Sequence, residues 1–193
     1  MATPIEDPEQ DRRAARLHGE SLVVDTLGPD GPAIYPPDLL ARVNGMVAAG
    51  DGPSVIVRAI QTYTQRSLWD DGLPGFWDGW AESGVDVSSV TMGGFGENPF
   101  TFENAIHDLA RWSHTFDVVP RFAKVVTADD ARDAKADGRR GVILNFQNTT
   151  HFGDDLDKIE LFYDFGIRII QLTYNQRNLV GDGCTERNPA GLS

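Results

Sequence analysis

Short apolar runs alternate along this chain with stretches in which apolar residues recur every three or four positions. The runs lie at 21–26, 84–90, 141–146 and 167–173, and their length and β-branched content are typical of strands. Between the runs, the spacing predicts helices, most clearly over 102–116. Strands that alternate with helices predict an α/β fold.

A strand, a helix and a second strand follow one another in the last third of the chain. The run 141–146 precedes a helical stripe from Leu156 to Tyr163, which stops at Gly166 before the run 167–173. The unit takes about 33 residues, the length of a right-handed crossover between parallel strands. We therefore expect the four strands to be parallel neighbours with helices outside.

Polar side chains follow the predicted strands at their carboxyl ends, where parallel α/β proteins hold their reactive groups. These residues are Asp25 after the first strand, Gln147 and His151 after the third, and Tyr174 and Asn175 after the fourth. The run of amides and hydroxyls that ends in His151 and Asp154–Asp155 could ligate a metal ion. Asp154 is also placed to cap the following helix, and the cap is the favoured interpretation.

Three other features favour structural roles. The stretch Gly93–Gly96 lacks the spacing of a dinucleotide-binding loop and a helix directly after it, so a glycine turn is favoured. Cys184 lies among acidic residues, which disfavour a reactive thiolate, so a structured turn is favoured over a nucleophile. The tryptophans of 67–83 either line a pocket or cover the core, and covering the core is the commoner role.

Composition narrows the possible partners. The chain has 193 residues, of which 40% are hydrophobic and 24% are charged, as in a single globular domain. Its net charge of −12 repels phosphate backbones and anionic lipid surfaces, so neither nucleic acid nor a membrane is an expected partner. A single cysteine, polar first twenty residues and no long apolar run predict a cytoplasmic location.

Several segments together reproduce one family pattern, which reads roughly G-I-E-G-G-H, then L-x-x-F-Y-x-L-G-V-R, then L-T-H-N. The matching segments are Gly141–Gln147, Gly153–Leu156, Phe162–Arg168 and Gln171–Leu179, with Leu22–Asp25 and Ser83–Val85 upstream. In these segments the sequence resembles the membrane (renal) dipeptidase family, peptidase family M19. The resemblance implies a (β/α)8 barrel of the amidohydrolase type, bound zinc and hydrolysis of a small peptide-like substrate.

The departures from the family pattern fall on its metal ligands. The first strand of the family ends in D-G-H-N-D, and its histidine and last aspartate correspond here to Leu27 and Pro29, which cannot bind metal. The bridging glutamate corresponds to Gln147, whose neutral amide cannot neutralise two cations as a carboxylate does. Asp25, Gln147 and His151 remain as candidate metal ligands, with Asp25 and His151 the substitutes for the lost groups.

The family's substrate-binding histidine in L-T-H-N is replaced by Tyr174. A tyrosine hydroxyl can still donate a hydrogen bond, so Tyr174 and the adjacent Asn175 are the candidate substrate-binding residues.

Chain length is a further departure. A barrel of this type has eight β/α units and usually about 250 residues, whereas the pattern here predicts about half of those units. We expect a polar arm over 1–18 and a partial barrel over 19–193, which corresponds to the amino-terminal half of the family. Because half a barrel exposes strand edges, we expect either a truncated chain or a subunit that forms a homo-oligomer.

Two functions remain open from the sequence. The leading one is a dipeptidase-like hydrolase of this family with a divergent metal site. The alternative is a catalytically inactive relative that binds a small ligand or a partner at the same strand ends. For this chain alone we expect less than one bound zinc ion per molecule and no hydrolysis of dipeptides.

Overall fold

The strands of the protein pair in parallel, and helices connect most of them. The computed structural model describes residues 7–28, 36–70, 73, 75–93, 101–188 and 190–192. The helices are α1 Pro8–Glu20, α2 Pro37–Ala49, α3 Pro53–Trp69, α4 Phe76–Ser83, α5 Phe102–Val118, α6 Ala128–Ala136 and α7 Asp157–Phe165. The strands are β1 Val24–Asp25, β2 Val87–Met92, β3 Phe122–Lys124, β4 Arg140–Phe146 and β5 Ile167–Ile170.

Strand β4 is the centre of the sheet. β2 pairs with it from Gly141 to Phe146, and β1 pairs with the far edge of β2. On its other edge, β4 pairs first with β3 and then with β5, and the register shifts between Leu144 and Asn145. These pairings are parallel, so the predicted α/β fold with parallel neighbouring strands is confirmed.

The strand boundaries differ from the prediction. β1 is limited to Val24–Asp25, and β5 ends at Ile170, where β4 has already reached its last paired residue, Phe146. Beyond Phe146 the described strands do not continue the ladder, and the chain turns. The short strand β3 was not predicted, because three residues are too few for an alternating pattern to show.

The two faces of the sheet have different coverings. Val90, Met92, Val142, Leu144 and Phe146 point to one face, where they form the main core with residues of α5 and α7 such as Leu109, Trp112 and Phe162. Alternate positions point to the other face, where Val87 packs with Val125 and with Ala131 of α6. Helix α6 therefore covers this second face near the amino ends of the strands.

Aromatic side chains close the main core beside β3. The rings of Trp77 and Trp80 lie 4.9 and 5.6 Å from the ring of Phe122, and Trp112 lies 5.7 Å from it. The indole nitrogen of Trp80 donates to the carbonyl of Val85 at 2.9 Å, which satisfies its polar atom. The tryptophan-rich segment thus covers the core, the commoner of the two roles considered.

The helix ends follow the sequence signals. Thr127 and Asp130 form a capping box at the start of α6, a signal that the sequence T-A-D-D carries, and α7 ends at Gly166 with a φ of 104°. The predicted Asp154 cap on α7 is wrong. Asp155 accepts the hydrogen bond from the backbone N–H of Asp157 instead, because the turn before α7 places it two residues before that donor.

The predicted polar arm contains helix α1, whose side chains are not buried. Asp7 caps its first turn, and an Arg16–Glu20 pair lies along its exposed side. Its last turn contacts the domain, because the ring of His18 lies over Gly84 so closely that a Cβ there would be 2.2 Å from it. Among the described helices, none is both long and apolar enough to cross a membrane.

A partly buried ion pair joins α6 to the beginning of the sheet. The Lys135 ammonium lies 2.7 Å from the Asp86 carboxylate and donates to the carbonyl of Ser21 at 2.9 Å. The same carboxylate oxygen accepts the backbone N–H of Val23 at 2.9 Å. Asp86 and Lys135 therefore hold the segment before β1 against β2 and α6.

Replacing Lys135 with methionine should lower the free energy of unfolding by about 2 kcal/mol, because the Asp86 carboxylate would lose its cation in a largely buried position. Urea unfolding followed by tryptophan fluorescence measures this loss. Arg132→Met is the matched control on the same helix: its pair with Asp129 is exposed and is worth under about 1 kcal/mol. Equal losses in the two variants would contradict a special role for Lys135.

Candidate active site

A row of neutral polar side chains crosses the second face of the sheet. Ser89 and Thr91 of β2 lie on the same face as Asn145 of β4, because Thr91 and Asn145 are directly paired. The Asn145 amide nitrogen donates to the Ser89 hydroxyl at 2.7 Å, and the Thr91 hydroxyl donates to the Asn145 carbonyl oxygen at 3.0 Å. Ser89 and Asn145 are buried. The row leads toward the carboxyl ends of both strands.

The loops after β4 and β5 are tied together above this row. The Asn178 side-chain amide donates to the Leu172 carbonyl at 2.8 Å and to the Thr149 hydroxyl at 3.2 Å. The Thr149 hydroxyl also donates to the Leu172 carbonyl at 3.1 Å. Gln147 at the end of β4 and Tyr174 beyond β5 therefore lie on two loops that these hydrogen bonds hold in a fixed position relative to each other.

Tyr174 and Asn175 lie on an exposed turn that residues 183–185 support. The backbone N–H of Cys184 donates to the Tyr174 carbonyl at 2.7 Å, and the N–H of Thr185 donates to the Asn175 carbonyl at 3.0 Å. Gly183 approaches so closely that a Cβ there would lie 2.4 Å from the Asn175 backbone. The Asn175 amide oxygen accepts the Cys184 thiol at 3.3 Å, so Cys184 serves the predicted structured turn.

An ion pair organises the same loop. The Arg177 guanidinium contacts Asp182 at 2.5 Å, and the Asp182 carboxylate also accepts the backbone N–H groups of Ala190 and Gly191. The N–H of Ala190, with further help from Arg177, lowers the pKa of Asp182. The charged groups of Arg177 and Asp182 therefore both have partners within the loop.

The structure does not bring Asp25 to Gln147. Asp25 is level with Ser88 of β2 and with Val142 of β4, five residues before Gln147. At about 3.3 Å per residue, this is a separation on the order of 16 Å along the strands. The side chain of Asp25 also starts on the face of Val142, opposite to Asn145, and its carboxylate accepts the backbone N–H of Leu27 at 3.0 Å. Asp25 therefore shapes the turn after β1.

The turn after β1 leaves little room for ligand side chains. Leu27 is exposed and offers only hydrocarbon, and a Cβ at Gly28 would lie 2.2 Å from the Ser88 hydroxyl oxygen. The backbone N–H of Gly28 donates to the Ser89 carbonyl at 3.0 Å, so this segment lies directly on β2. Pro29, the other family ligand position, lies outside the described residues.

His151 lies in the main core, on the helix-covered face. Its ring stacks on Phe146 with 4.2 Å between the ring centres, and Phe162 of α7 meets it edge-on. Only 1% of its surface is exposed. Burial lowers the pKa of His151 to about 4, while a hydrogen bond to the backbone of Asn148 acts in the opposite direction. His151 is therefore separated by the sheet from the polar row.

The described residues do not fit a zinc centre. A catalytic zinc ion takes about three protein ligands from histidine, cysteine or carboxylate side chains. Among the residues that the structure describes, no three such side chains come together. Gln147 offers a half-buried neutral amide, Asp25 faces another way and His151 is in the core. What the site does offer is a set of amides and hydroxyls, which bind neutral polar groups by hydrogen bonds.

Sequence reasoning missed part of this set. Ser89 and Thr91 lie inside a strand and were not predicted as site residues. The signal was present, since a strand with alternate polar positions indicates a face that is not packed with hydrocarbon. Recognising it required knowing that Thr91 and Asn145 are in register.

Parallel strands covered by helices, with polar loops at the strand carboxyl ends, are typical of the class of β/α-barrel folds. Within that class, the sequence profile of the membrane dipeptidase family (peptidase family M19) matches residues 83–193. The match spans more than half of the chain, which therefore belongs to this family. The resemblance stated from the sequence is confirmed.

Solved structures share the fold. An amidohydrolase from Pseudomonas aeruginosa superposes with a TM-score of 0.56 at 22% identity, over 93% of this chain and 42% of its own. The metallopeptidase dipeptidase AC of family M19 gives a TM-score of 0.56 at 18% identity, over 83% of this chain and 45% of its own. A metallopeptidase from Rhodobacter sphaeroides, bound to a phosphinate mimic of the dipeptide L-Ala-D-Ala, gives a TM-score of 0.54 at 17% identity, over 83% of this chain and 48% of its own.

The chain spans less than half of the length of each of these solved structures. A comparison with curated proteins found no match. The similarity to the solved structures therefore establishes the fold, which agrees with the predicted partial barrel of the amidohydrolase type.

The buried position of His151 predicts a pH dependence of stability. In the unfolded chain the histidine titrates near 6.5, whereas in the folded protein its pKa is about 4. Between these values the unfolded state binds more protons, so stability falls as pH decreases. We expect the proton uptake of His151 in the unfolded state to lower the free energy of unfolding by about 2 kcal/mol between pH 6.5 and about pH 4.5. Urea unfolding across this range measures the slope.

The comparison of variants isolates this effect. His151→Phe, which keeps an aromatic ring in the core, should flatten the slope by that amount, whereas Gln10→Ala, on the exposed surface of α1, should leave it unchanged. A His151 resonance that titrates near its ordinary value in an NMR experiment would contradict the buried, neutral state.

Proposed function

We propose that this chain binds small peptide-like molecules at the carboxyl ends of its parallel strands, and that the chain alone does not hydrolyse them. The observation that carries the proposal is the composition of the site. Its described groups are amides and hydroxyls, namely Ser89, Thr91, Asn145 and Gln147, with Tyr174 on the adjoining loop.

The chemistry of these groups suits a peptide bond. An amide side chain such as Gln147 both donates and accepts, so it can bind the N–H and the carbonyl of a peptide group. A tyrosine hydroxyl can donate to a peptide carbonyl in the same way. The tie between Thr149, Leu172 and Asn178 supports this proposal, because it holds the loops of Gln147 and Tyr174 together before a ligand arrives.

Hydrolysis of a peptide bond in this family's manner would need a metal ion. Zinc supplies a hydroxide nucleophile and polarises the carbonyl when it is bound. The matched ligand positions Leu27 and Gln147 supply neither a carboxylate nor an imidazole, and His151 lies on the other face of the sheet. This donor set supports binding without hydrolysis.

Metal-dependent dipeptide hydrolysis is the second candidate, and family membership favours it. The family profile covers 83–193, and two of the similar solved structures are described as metallopeptidases, one of them with a mimic of L-Ala-D-Ala. Residues outside the described ranges, including Asp30, could contribute ligands. The two candidates differ in bound metal and in turnover.

The experiment uses the 193-residue chain prepared without a metal-binding tag. Elemental analysis after dialysis measures bound zinc, an amine-release assay with and without added zinc measures cleavage of L-Ala-D-Ala, and titration calorimetry measures binding of the same dipeptide. We expect dipeptide binding, well under one zinc ion per chain and no cleavage. Stoichiometric zinc whose removal abolishes cleavage would establish the second candidate, and absence of both binding and cleavage would contradict both.

A variant locates the binding site. Gln147→Ala should weaken dipeptide binding about fivefold, because one hydrogen bond is worth about 1 kcal/mol. Gln10→Ala, on the exposed surface of α1, is the matched control and should bind as the unchanged chain does. Equal affinity of the two variants would place the ligand elsewhere.

A further inference from the structure

The described side chains of the candidate site carry no charge. Ser89, Thr91 and Asn145 form the polar row, and Gln147 and Tyr174 lie on the loops beyond it. Their amides and hydroxyls can bind the N–H and the carbonyl of a peptide bond, which are neutral groups as well. The two ends of a free dipeptide are different, because each carries a full charge that needs a partner of opposite sign when it leaves water.

A carboxylate of a ligand would need a lysine, arginine or histidine as its partner. The segments outside the described ranges contain acidic residues, such as Asp30 and Glu97, but no residue of these three types. They therefore cannot supply a cation to the site. Any positive partner must come from the part of the chain that the structure describes.

Several of the described cations lie away from the carboxyl ends of the strands. Arg140 begins β4, at the end of that strand opposite to Gln147, and donates to the carbonyl of Val85 at 3.0 Å. Lys135 belongs to α6, which covers the amino-terminal part of the second face. His151 lies in the core. None of these three residues is placed to bind a carboxylate beside Gln147.

Other cations lie nearer to the carboxyl ends. Lys158, in the first turn of α7, donates to the carbonyl of Phe152 at 3.2 Å, and Arg177 pairs with Asp182 at 2.5 Å. Arg187, on the same loop as Arg177, is exposed, so water solvates its guanidinium and weakens any ion pair that it forms. These three cations therefore offer no buried, unshared partner to a carboxylate of a ligand.

The charge of the whole chain acts in the same direction. Its net charge of −12 repels an anion that approaches from solution. A carboxamide in place of the carboxylate has no charge to repel. Its N–H groups can also donate to the side-chain oxygens of Gln147 or Tyr174.

We propose that the site selects small peptide-like molecules whose carboxyl end is an amide, over the same molecules with a free carboxylate. The inference rests on the proposed function and names the class of ligand within it. A free dipeptide still binds through its peptide bond, but its carboxylate lowers the affinity.

Four ligands of similar size test the effect of each end separately. They are L-Ala-D-Ala, its carboxyl amide and the N-acetyl forms of both, and titration calorimetry measures their binding to the 193-residue chain. We expect the amide to bind about tenfold more tightly than the free acid in both pairs, because the free acid leaves a charged group without a partner. The advantage should persist at about 0.5 M salt, where long-range repulsion is screened.

The possible outcomes separate the inference from the proposed function. Equal or tighter binding of the free acids would overturn the inference and leave the proposed function standing. An advantage of the amides that disappears at high salt would assign the effect to the net charge of the chain, and would also overturn the inference. If none of the four ligands binds, the proposed function fails together with it.

A cation introduced into the site should reverse the preference. Gln147→Lys places an ammonium at the half-buried end of β4, and we expect the free acids then to bind about fivefold more tightly than the amides. Gln10→Lys, on the exposed surface of α1, adds the same charge and should keep the preference for amides. A Gln147→Lys chain that has an unchanged circular dichroism spectrum and still prefers amides would overturn the inference.

Removal of the exposed arginine completes the test. Arg187→Gln should bind all four ligands as the unchanged chain does. Weaker binding of the free acids alone would identify Arg187 as the partner of the carboxylate and would overturn the inference. The comparison of the four ligands uses the unchanged chain, so it does not depend on the folding of any variant.

Discussion

The rest of the structure depends on the pairing of β4 along both of its edges. β2 aligns with β4 over six residues, and β1 reaches the sheet only through β2. On the opposite edge, β3 and β5 divide β4 between them. Because β4 is paired on both edges, the face to which each of its side chains points is fixed. Val142, Leu144 and Phe146 must then face the helices, while Asn145 faces the other way.

The sequence predicted the parts of the fold that depend on local pattern. Alternating runs and helix ends such as Gly166 are encoded within a few residues, and they were found with small errors in length. The site was harder, because its geometry depends on register between distant strands. Asp25 was predicted to follow the first strand, whereas it is the last residue of a two-residue strand, and its pairing with Ser88 leaves it about five residues below the level of Gln147 and on the other face. No property of the residues around Asp25 carries that information.

His151 shows the same limit in another form. It follows β4 in sequence, as a ligand from a strand end would, but the short helical turn Thr150–Phe152 carries it around the strand end into the core. The apolar ring of Phe146 is the surface on which it stacks. Burial favours a neutral imidazole there, so the residue contributes packing to the core. The single backbone turn Thr150–Phe152 therefore decides whether this histidine lies in the core or at the site.

The second face of the sheet reverses the usual distribution of side chains. On its central strands the polar Ser89 and Asn145 are buried, whereas on its outer strands the apolar Val24 and Ile169 are half exposed. Pairing places all four on this one face, since Val24 is opposite Val87 and Ile169 is opposite Asn145. A face that met solvent as it stands would gain from the opposite arrangement, with polar groups at its rim. The observed arrangement instead reflects what lies on each part of the face: helix α6 packs over its amino-terminal part, and the buried Ser89 and Asn145 are satisfied by hydrogen bonds to each other and to Thr91.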